Sequence, residues 1–205
     1  MEGYITIKKP SAFTFEDRKS VFIGQAMPVS SEREALAFIE SVKKQYPDAR
    51  HHVYAYVLRE NSIMRFTDDR EPQGTAGMPV LDIIRKNFCT DTVIVVTRYF
   101  GGTLLGTGGL VHAYSAAALG ALQAAEIIRY DIYTKLQIGV SYSDYGKITA
   151  ILSDLGFRTE ETNYDTGVCV VGSIIKSNLN QLEKMLTEAT SARATVEILG
   201  EDFSY

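Results

Sequence analysis

The sequence predicts an α+β protein built in two segments. The chain has 205 residues, of which 45% are hydrophobic and 22% charged, and these proportions exclude a disordered, collagen-like or coiled-coil protein. Short β-rich stretches alternate with amphipathic helical stretches along its whole length. The charge balance also changes: 15 Lys and Arg face 14 Asp and Glu through Arg129, whereas 6 face 11 from Tyr130 onward. We therefore expect one domain over residues 1–130 and another over 131–205.

The first segment predicts a sheet backed by helices. Ser31 with Glu34 forms a capping box that opens a helix, and Pro79 suits the first turn of a second one. The run Thr92–Thr97 is continuously apolar and β-branched, as expected of a central strand that is buried on both faces. An alanine-rich helix follows. The predicted strands cover 4–9, 19–29, 51–59, 63–67 and 92–97, and the last helix covers about 109–125.

The second segment predicts the order βαββαβ, which is the ferredoxin-like plan. Its first helix follows a cap at Ser143 and ends at Gly156, and its second opens at a capping box of Asn178 and Gln181. Asp165 to Gly167 is a short hairpin connection between two strands. The predicted strands cover 132–142, 157–164, 167–175 and 194–199.

A glycine-rich stretch after the buried strand is the most informative feature of the sequence. Glycines there let backbone N–H groups approach a ligand, and the following helix N-terminus favours an anion. Arg98 at the strand end is the expected cation. No GK[ST] motif is present, and the run Gly106-Thr107-Gly108 starts too far beyond the strand for a dinucleotide fingerprint. The alternative is that they only build a tight connection. The candidate binding residues are Arg98, Tyr99, Gly101, Gly102, Gly106, Gly108 and Gly109.

A second loop, Asp68–Pro79, also carries charges and glycines before a helix. We expect the two loops to converge at one end of the sheet in a polar cleft where Arg70 faces Arg98. The carboxylates could act as a general base or hold magnesium, but we favour structural roles in which Glu71 pairs with an arginine and Asp68 caps the turn. We assign no catalytic residue. The candidate binding residues are Asp69, Arg70, Glu71, Gly74, Thr75 and Gly77.

The histidines and cysteines predict no metal site and no cofactor. His51 and His52 are neighbours on a strand, so their side chains point to opposite faces. His52 shares its face with Tyr54 and Tyr56, a ring-bearing stripe that either stacks on bases or is packed by a helix. His112 lies in the first turn after the glycines, near the expected cleft. The two cysteines, Cys89 and Cys169, match no metal-ligand spacing.

Two long motifs carry a resemblance to a known family. DDREPQGTAGMPVL and VIVVTRYFGGTLLGTGGLVHAYS resemble the IMPACT family, specifically its bacterial YigZ-type members. The resemblance covers about residues 1–125, and residues 132–205 are similar to the extra C-terminal domain of bacterial members. It implies a first domain like domain 2 of a ribosomal small-subunit protein and a second like the last domain of elongation factor G. Many relatives have an arginine at the position of His112.

The resemblance also gives a direction for function. Eukaryotic members regulate translation during amino-acid starvation, partly through a module that this sequence lacks. We therefore expect a non-enzymatic cytosolic regulator that binds RNA or a ribosomal partner through the glycine-rich, arginine-bearing cleft. The alternatives are an enzyme acting on a phosphorylated or nucleotide-like ligand, and a protein-binding scaffold. With no secretory signal and no apolar run near 20 residues, we expect a cytoplasmic protein without a membrane partner.

Overall fold

The computed structural model describes residues 3–205 and confirms the α+β class. The described chain divides into two compact units, Tyr4–Arg129 and Tyr130–Tyr205, the latter joined by Gly3. The strands are β1 Tyr4–Ile7, β2 Ser11–Asp17, β3 Ser20–Pro28, β4 His51–Val57, β5 Met64–Thr67, β6 Thr92–Tyr99, β7 Ile127–Val140, β8 Arg158–Tyr164, β9 Val168–Ile175 and β10 Thr195–Ser204. The helices are α1 Glu32–Gln45, α2 Gly77–Lys86, α3 Gly106–Ala124, α4 Tyr142–Asp154 and α5 Leu179–Thr190.

The first unit has three layers around an antiparallel sheet. Its strand order is β2-β3-β6-β4-β5, with β6 in the centre as the apolar run predicts. One face packs against α2 and α3 in a core that includes Phe22, Ala55 and Ile94. The other face packs against α1 around Tyr56 and Val95. Both faces of β6 are therefore covered.

Local signals in the sequence position two helices of this unit. Ser31 accepts a hydrogen bond from the backbone N–H of Glu34 and caps α1, as predicted. The Asp68 carboxylate accepts backbone hydrogen bonds from Gly74, Ala76 and Gly77. Asp68 thereby satisfies the start of α2 across the preceding loop, which is the structural role we favoured for it.

The second unit has the predicted ferredoxin-like topology. Its strands lie in the order β10-β7-β9-β8, and every neighbouring pair is antiparallel. Helices α4 and α5 cover one face with Ile148, Leu152 and Leu186 against Leu136 and Ile174. None of the helices within residues 3–205 is long and apolar enough to cross a membrane.

Four elements differ from the sequence expectations. Strand β2 was not predicted, because it is an edge strand with a largely exposed face and shows no sustained hydrophobic run. Helix α3 begins at Gly106, three residues before its predicted start, because the exposed first turn carries glycines instead of apolar residues. The capping box at Asn178 is wrong: the Asn178 side chain donates to the Leu155 carbonyl instead. Helix α4 begins after Ser141, two residues before the predicted cap.

Candidate functional site at one end of the first sheet

The two loops singled out in the sequence lie at the same end of the first sheet. Strand β6 ends at Tyr99 where β4 begins at His51, and β3 begins at Ser20 beside them. Arg98 is directly opposite both His51 and Phe22 in the register. The strand ends thus place the loop after β6 next to the loop that leads from β5 into α2.

A buried ion pair joins the two loops. The Arg98 Nη1 donates to the Glu71 Oε1 at 2.6 Å, and the Tyr114 hydroxyl of α3 donates to the same oxygen at 2.8 Å. Burial raises the pKa of Tyr114, and the neighbouring Glu71 carboxylate raises it further. Glu71 pairs with an arginine, as favoured from the sequence.

This ion pair corrects the expectation for Arg98. Only 6% of Arg98 is exposed, so its guanidinium is not a free cation facing an open cleft. Its Nε atom is also buried and has no hydrogen-bond partner within residues 3–205. The physical reason is that the register puts Arg98 on the core face of the sheet, in line with Ile94 and Val96, where only a paired charge is tolerated.

Arg70, by contrast, stays on the surface. Its side chain is 75% exposed, lies 3.7 Å from the Asp69 carboxylate, and donates to the Arg50 carbonyl. Arg70 and Arg98 therefore do not form a matched pair of cations across a cleft. Asp69 itself is used internally, since its Oδ2 accepts from the backbone N–H of His52 and its carbonyl lies 2.7 Å from the His51 Nδ1.

The remaining residues of the second loop shape the backbone. Gly74 has a positive φ of 76°, and Thr75 is buried with its hydroxyl donating to the Pro72 carbonyl. Gly77 is the first residue of α2, and a Cβ there would lie 2.4 Å from the Thr67 carbonyl oxygen. These three positions fix the path of the chain into α2.

The glycines after β6 divide into two groups. Gly101 and Gly102 belong to the loop: a Cβ at Gly101 would lie 2.0 Å from the Lys19 backbone, and Gly102 has a positive φ of 83°. Gly106, Gly108 and Gly109 instead lie in the first turn of α3, which corrects the placement of Gly106 and Gly108 in the loop before the helix. Gly108 is exposed and has open space where a Cβ would be, so packing does not require a glycine there.

Exposed side chains surround this first turn. The Arg18 guanidinium, from the turn between β2 and β3, donates to the Leu104 carbonyl just before α3 at 3.5 Å. Leu104 is 81% exposed, and Phe100 is also exposed. His112 is exposed and contacts the Phe15 ring edge-on. Tyr99 lies further along the same end and donates its hydroxyl to Asp48.

The tyrosine stripe of β4 is on a covered face. Tyr56 is buried against α1 and donates its hydroxyl to Glu32, while Tyr54 is half-buried and stacked on Tyr56. His52 is buried beside them, with its Nε2 3.0 Å from the Tyr46 carbonyl. The idea that Tyr54 and Tyr56 stack on bases is therefore wrong, and the alternative of a sheet face packed by a helix is correct.

Sequence reasoning missed Tyr114 and Arg18. Tyr114 lies in the alanine-rich helix that the sequence predicts, and its hydroxyl gives no separate signal in sequence. Arg18 lies in a turn between two strands, one of which was not recognised. Among the described residues, no group of three or more His, Cys, Asp and Glu side chains is arranged to hold a metal ion.

Two family models match the chain. Residues 18–122 match the Impact N-terminal domain, which includes both loops, Glu71, Arg98 and the start of α3. Residues 138–193 match a domain of unknown function (DUF1949). The two matches fall in the two units of the structure, one in each.

Individual relatives match over nearly the whole chain. The IMPACT family member YvyE of Bacillus subtilis is 34% identical, covering 96% of this chain and 91% of that protein. The IMPACT family member YigZ of Escherichia coli is 31% identical, covering 97% and 98%. A solved structure described as that of a hypothetical protein superposes with a TM-score of 0.61 at 30% identity, covering 98% of both chains.

Eukaryotic relatives match about half of the chain. Protein IMPACT of Xenopus laevis is 30% identical over 108 residues, which is 51% of this chain and 35% of that protein. Bacterial relatives match nearly the whole chain instead. On both the domain models and the full-length relatives, the chain belongs to the IMPACT family.

Proposed function

We propose that this chain is a non-enzymatic, cytoplasmic, translation-associated factor that binds RNA, and that the N-terminus of α3 holds an RNA phosphate. Family membership supports the link to translation, because eukaryotic members regulate it. The observation that carries the binding site is the exposed first turn of α3, Gly106 to Gly109, which has neither a capping side chain nor an acidic residue.

A helix N-terminus without a capping side chain leaves backbone N–H groups available to a ligand. The first N–H groups of a helix have no partner within the helix, and a capping side chain ordinarily satisfies one of them. Here none does, although α3 has 19 residues. Glycine at position 108 lowers helix propensity by roughly 1 kcal/mol relative to alanine without relieving any clash. A glycine at position 108 does, however, let a ligand approach the backbone N–H groups closely.

The surroundings suit RNA in both charge and shape. Arg18 lies against the chain just before α3, Lys19 is next to it, and Arg70 is exposed at the same end of the sheet. Guanidinium groups form strong charge-assisted hydrogen bonds with phosphate. The exposed Phe100 ring offers a surface on which a base can stack. The buried Arg98–Glu71 pair then holds the two loops in place and does not itself contact RNA.

Substitution of Gly108 by glutamate tests the site. A carboxylate in the first turn favours the helix dipole and has room in the structure, so the fold is expected to keep its stability. The same carboxylate repels phosphate, and we expect about tenfold weaker binding of a labelled 20-nucleotide single-stranded RNA by fluorescence anisotropy. The matched control is Gly146→Glu in α4, another helical glycine with open space, which adds the same charge in the second unit.

The outcomes of this test separate the alternatives. Equal loss of RNA affinity in both variants would point to whole-chain charge and overturn the site. Unchanged affinity in Gly108→Glu would also overturn it. Co-sedimentation with ribosomal subunits should show the same ranking of variants. A thermal shift with ATP and magnesium, without RNA association, would replace this function with that of an enzyme on a nucleotide-like ligand.

A further inference from the structure

Strand β2 forms one outer edge of the first sheet. It pairs with β3 on one side, over seven residues from Ser11 to Asp17 and without a bulge. An open strand edge presents a row of backbone N–H and C=O groups that can pair with a strand of another chain. What these groups bind is therefore a question that the fold itself raises.

The turn after β2 determines which of its backbone groups face outward. Arg18 and Lys19 have positive φ values of 46° and 64° and connect Asp17 to its partner Ser20 in a two-residue hairpin. The pair that closes such a hairpin exchanges hydrogen bonds, and bonded and non-bonded pairs then alternate along the strand. Every second residue before Asp17 therefore points its N–H and C=O away from β3. These outward-facing residues, which we call the β2 edge, are Ala12, Thr14 and Glu16.

The β2 edge is uncovered within the part of the chain that the structure describes. Its three side chains are exposed, and its backbone groups make no hydrogen bond there outside the β2–β3 pairing. Helix α3 packs against one face of β2, where Phe13 lies beside Gly120 and the Phe15 ring contacts His112. The edge thus leaves a row of polar backbone groups available to a partner strand.

Two other sheet edges are protected against strand pairing, whereas β2 is not. Strand β5 has only four residues, and the Arg65 guanidinium donates to the Met64 carbonyl. Strand β8 contains a bulge between Thr159 and Glu161. Short edges, charged side chains and bulges are the usual means by which proteins prevent pairing between chains. Strand β2 has seven residues in regular register, and its charged side chains are confined to its last two residues.

The β2 edge is complementary to a second copy of itself. In an antiparallel pair centred on Thr14, this residue faces its own copy and Ala12 faces Glu16 at both ends. All three outward-facing residues then form reciprocal hydrogen-bonded pairs, and the pairing has the two-fold symmetry of a closed dimer. Between them Phe13 faces Phe15, and aromatic and Thr–Thr pairs across strands are both favourable.

Other registers of the same pairing fit less well. A pair centred on Glu16 would place two carboxylates directly opposite each other, which is destabilising. A pair centred on Ala12 would place Thr14 opposite Pro10, which has no N–H to donate. In the register centred on Thr14, the two Glu16 residues are four positions apart, or about 14 Å along the strands. Their repulsion is screened beyond about 8 Å at physiological salt.

We propose that two copies of this chain associate through their β2 edges, as an antiparallel strand pair centred on Thr14 that joins two five-stranded sheets into one continuous sheet. A single strand pair buries less surface than a standard stable interface, so we expect a weak dimer with a dissociation constant on the order of 10 µM. The association does not depend on RNA binding, because the β2 edge is separate from the first turn of α3.

Sedimentation-velocity ultracentrifugation of the full chain without RNA, from about 2 to 200 µM, tests the proposal on both sides of the expected dissociation constant. Thr14→Pro removes an outward N–H and leaves the β2–β3 pairing intact, since proline is tolerated in an edge strand where its nitrogen faces solvent. We expect this variant to be a monomer over the whole range, with the circular dichroism spectrum of the parent chain.

Charge substitutions test the register without proline. Within one chain, Ala12 and Glu16 face the uncharged Gln25 and Val21 of β3, so a new charge at either position acts mainly between copies. Ala12→Glu opposes a second carboxylate to each Glu16 and should weaken the dimer about fivefold, whereas Ala12→Lys should strengthen it by a similar factor. Ala12→Glu combined with Glu16→Lys should associate at least as tightly as the parent chain. The matched control is Gly146→Glu, which adds the same charge in the second unit.

Several results would overturn the proposal. A monomer over the whole concentration range would do so, as would a dimer that Thr14→Pro or Ala12→Glu leaves intact. Equal weakening by Gly146→Glu would assign the effect to whole-chain charge. A dimer that forms only when RNA is added would assign the association to nucleic acid instead. Gly108→Glu should leave the dimer unchanged, so a failure of the RNA site and a failure of the β2 edge are distinguishable.

Discussion

Arg98 illustrates how far a single residue can be interpreted from sequence. An arginine at a strand end beside glycines indicates an anion site, and the strand alternation also places it in line with Ile94 and Val96. The alternation decides its environment, because a β6 residue on that face must lie under α2 and α3. Glu71 was recognised as an arginine partner from sequence, but the identity of the arginine required the register and the loop path.

The buried pair predicts a specific pattern of stability. Glu71→Gln leaves the Arg98 guanidinium buried without a counter-charge, and we expect a loss of about 3–5 kcal/mol in the free energy of unfolding. Arg98→Leu combined with Glu71→Leu removes both charges, and the double variant should lose considerably less stability than the sum of the losses in Arg98→Leu alone and Glu71→Leu alone. Urea denaturation of the four chains of this cycle gives the coupling energy. Additive losses would show that the two side chains do not support each other.

At the scale of elements, the sequence predicts correctly those features that depend on interactions between neighbouring residues. The Ser31 cap, the β-branched run of β6 and the βαββαβ order are of this kind. Strand β2 and the start of α3 could not be predicted in this way, because their residues face solvent and show no hydrophobic periodicity. Asn178 had the right spacing for a cap, but the Leu155 carbonyl competes for its side chain. Contacts that are distant in sequence decide such cases.

Helix α4 carries a pH-dependent contribution to stability. The Asp144 carboxyl in its first turn accepts a hydrogen bond from Lys147 and others from Arg193 and Ser141, and these bonds lower its pKa to about 2 despite the opposing effect of burial. A lowered pKa stabilises the folded chain above the ordinary carboxyl pKa near 4, and the stabilisation disappears as the pH falls from about 4 to 2.

Asp144→Asn should therefore remove this acid-sensitive contribution. In hydrogen–deuterium exchange of the full chain, we expect faster exchange of α4 and α5 amides in the variant at pH 7, and a much smaller difference from the parent chain near pH 2.5. Asp154→Asn, at the other end of α4, serves as the control. A difference for Asp144→Asn that stays the same at both pH values would contradict the assignment.

At the scale of the whole molecule, the net negative charge disfavours RNA binding, whereas the cations at the proposed RNA site favour it. The chain has a formal net charge of −4, to which the residues from Tyr130 onward contribute −5 and the residues before them +1. Repulsion between a net-negative protein and RNA acts over long range and is screened beyond about 10 Å at 0.1 M salt. Contacts of Arg18 and Arg70 with phosphate would instead release counterions on binding.

Long-range repulsion and counterion release change RNA affinity in opposite directions as salt rises, so a salt series distinguishes between them. If local phosphate contacts dominate, RNA affinity falls as salt rises, and Arg18→Ala reduces the slope of log K against log salt by about 0.7 for single-stranded RNA. Lys184→Ala, an exposed cation of α5 in the second unit, should leave the slope unchanged. If net repulsion dominated, affinity would rise with salt and both variants would weaken binding alike. Anisotropy titrations from 50 to 200 mM salt, in the range where counterion release is large, measure both slopes.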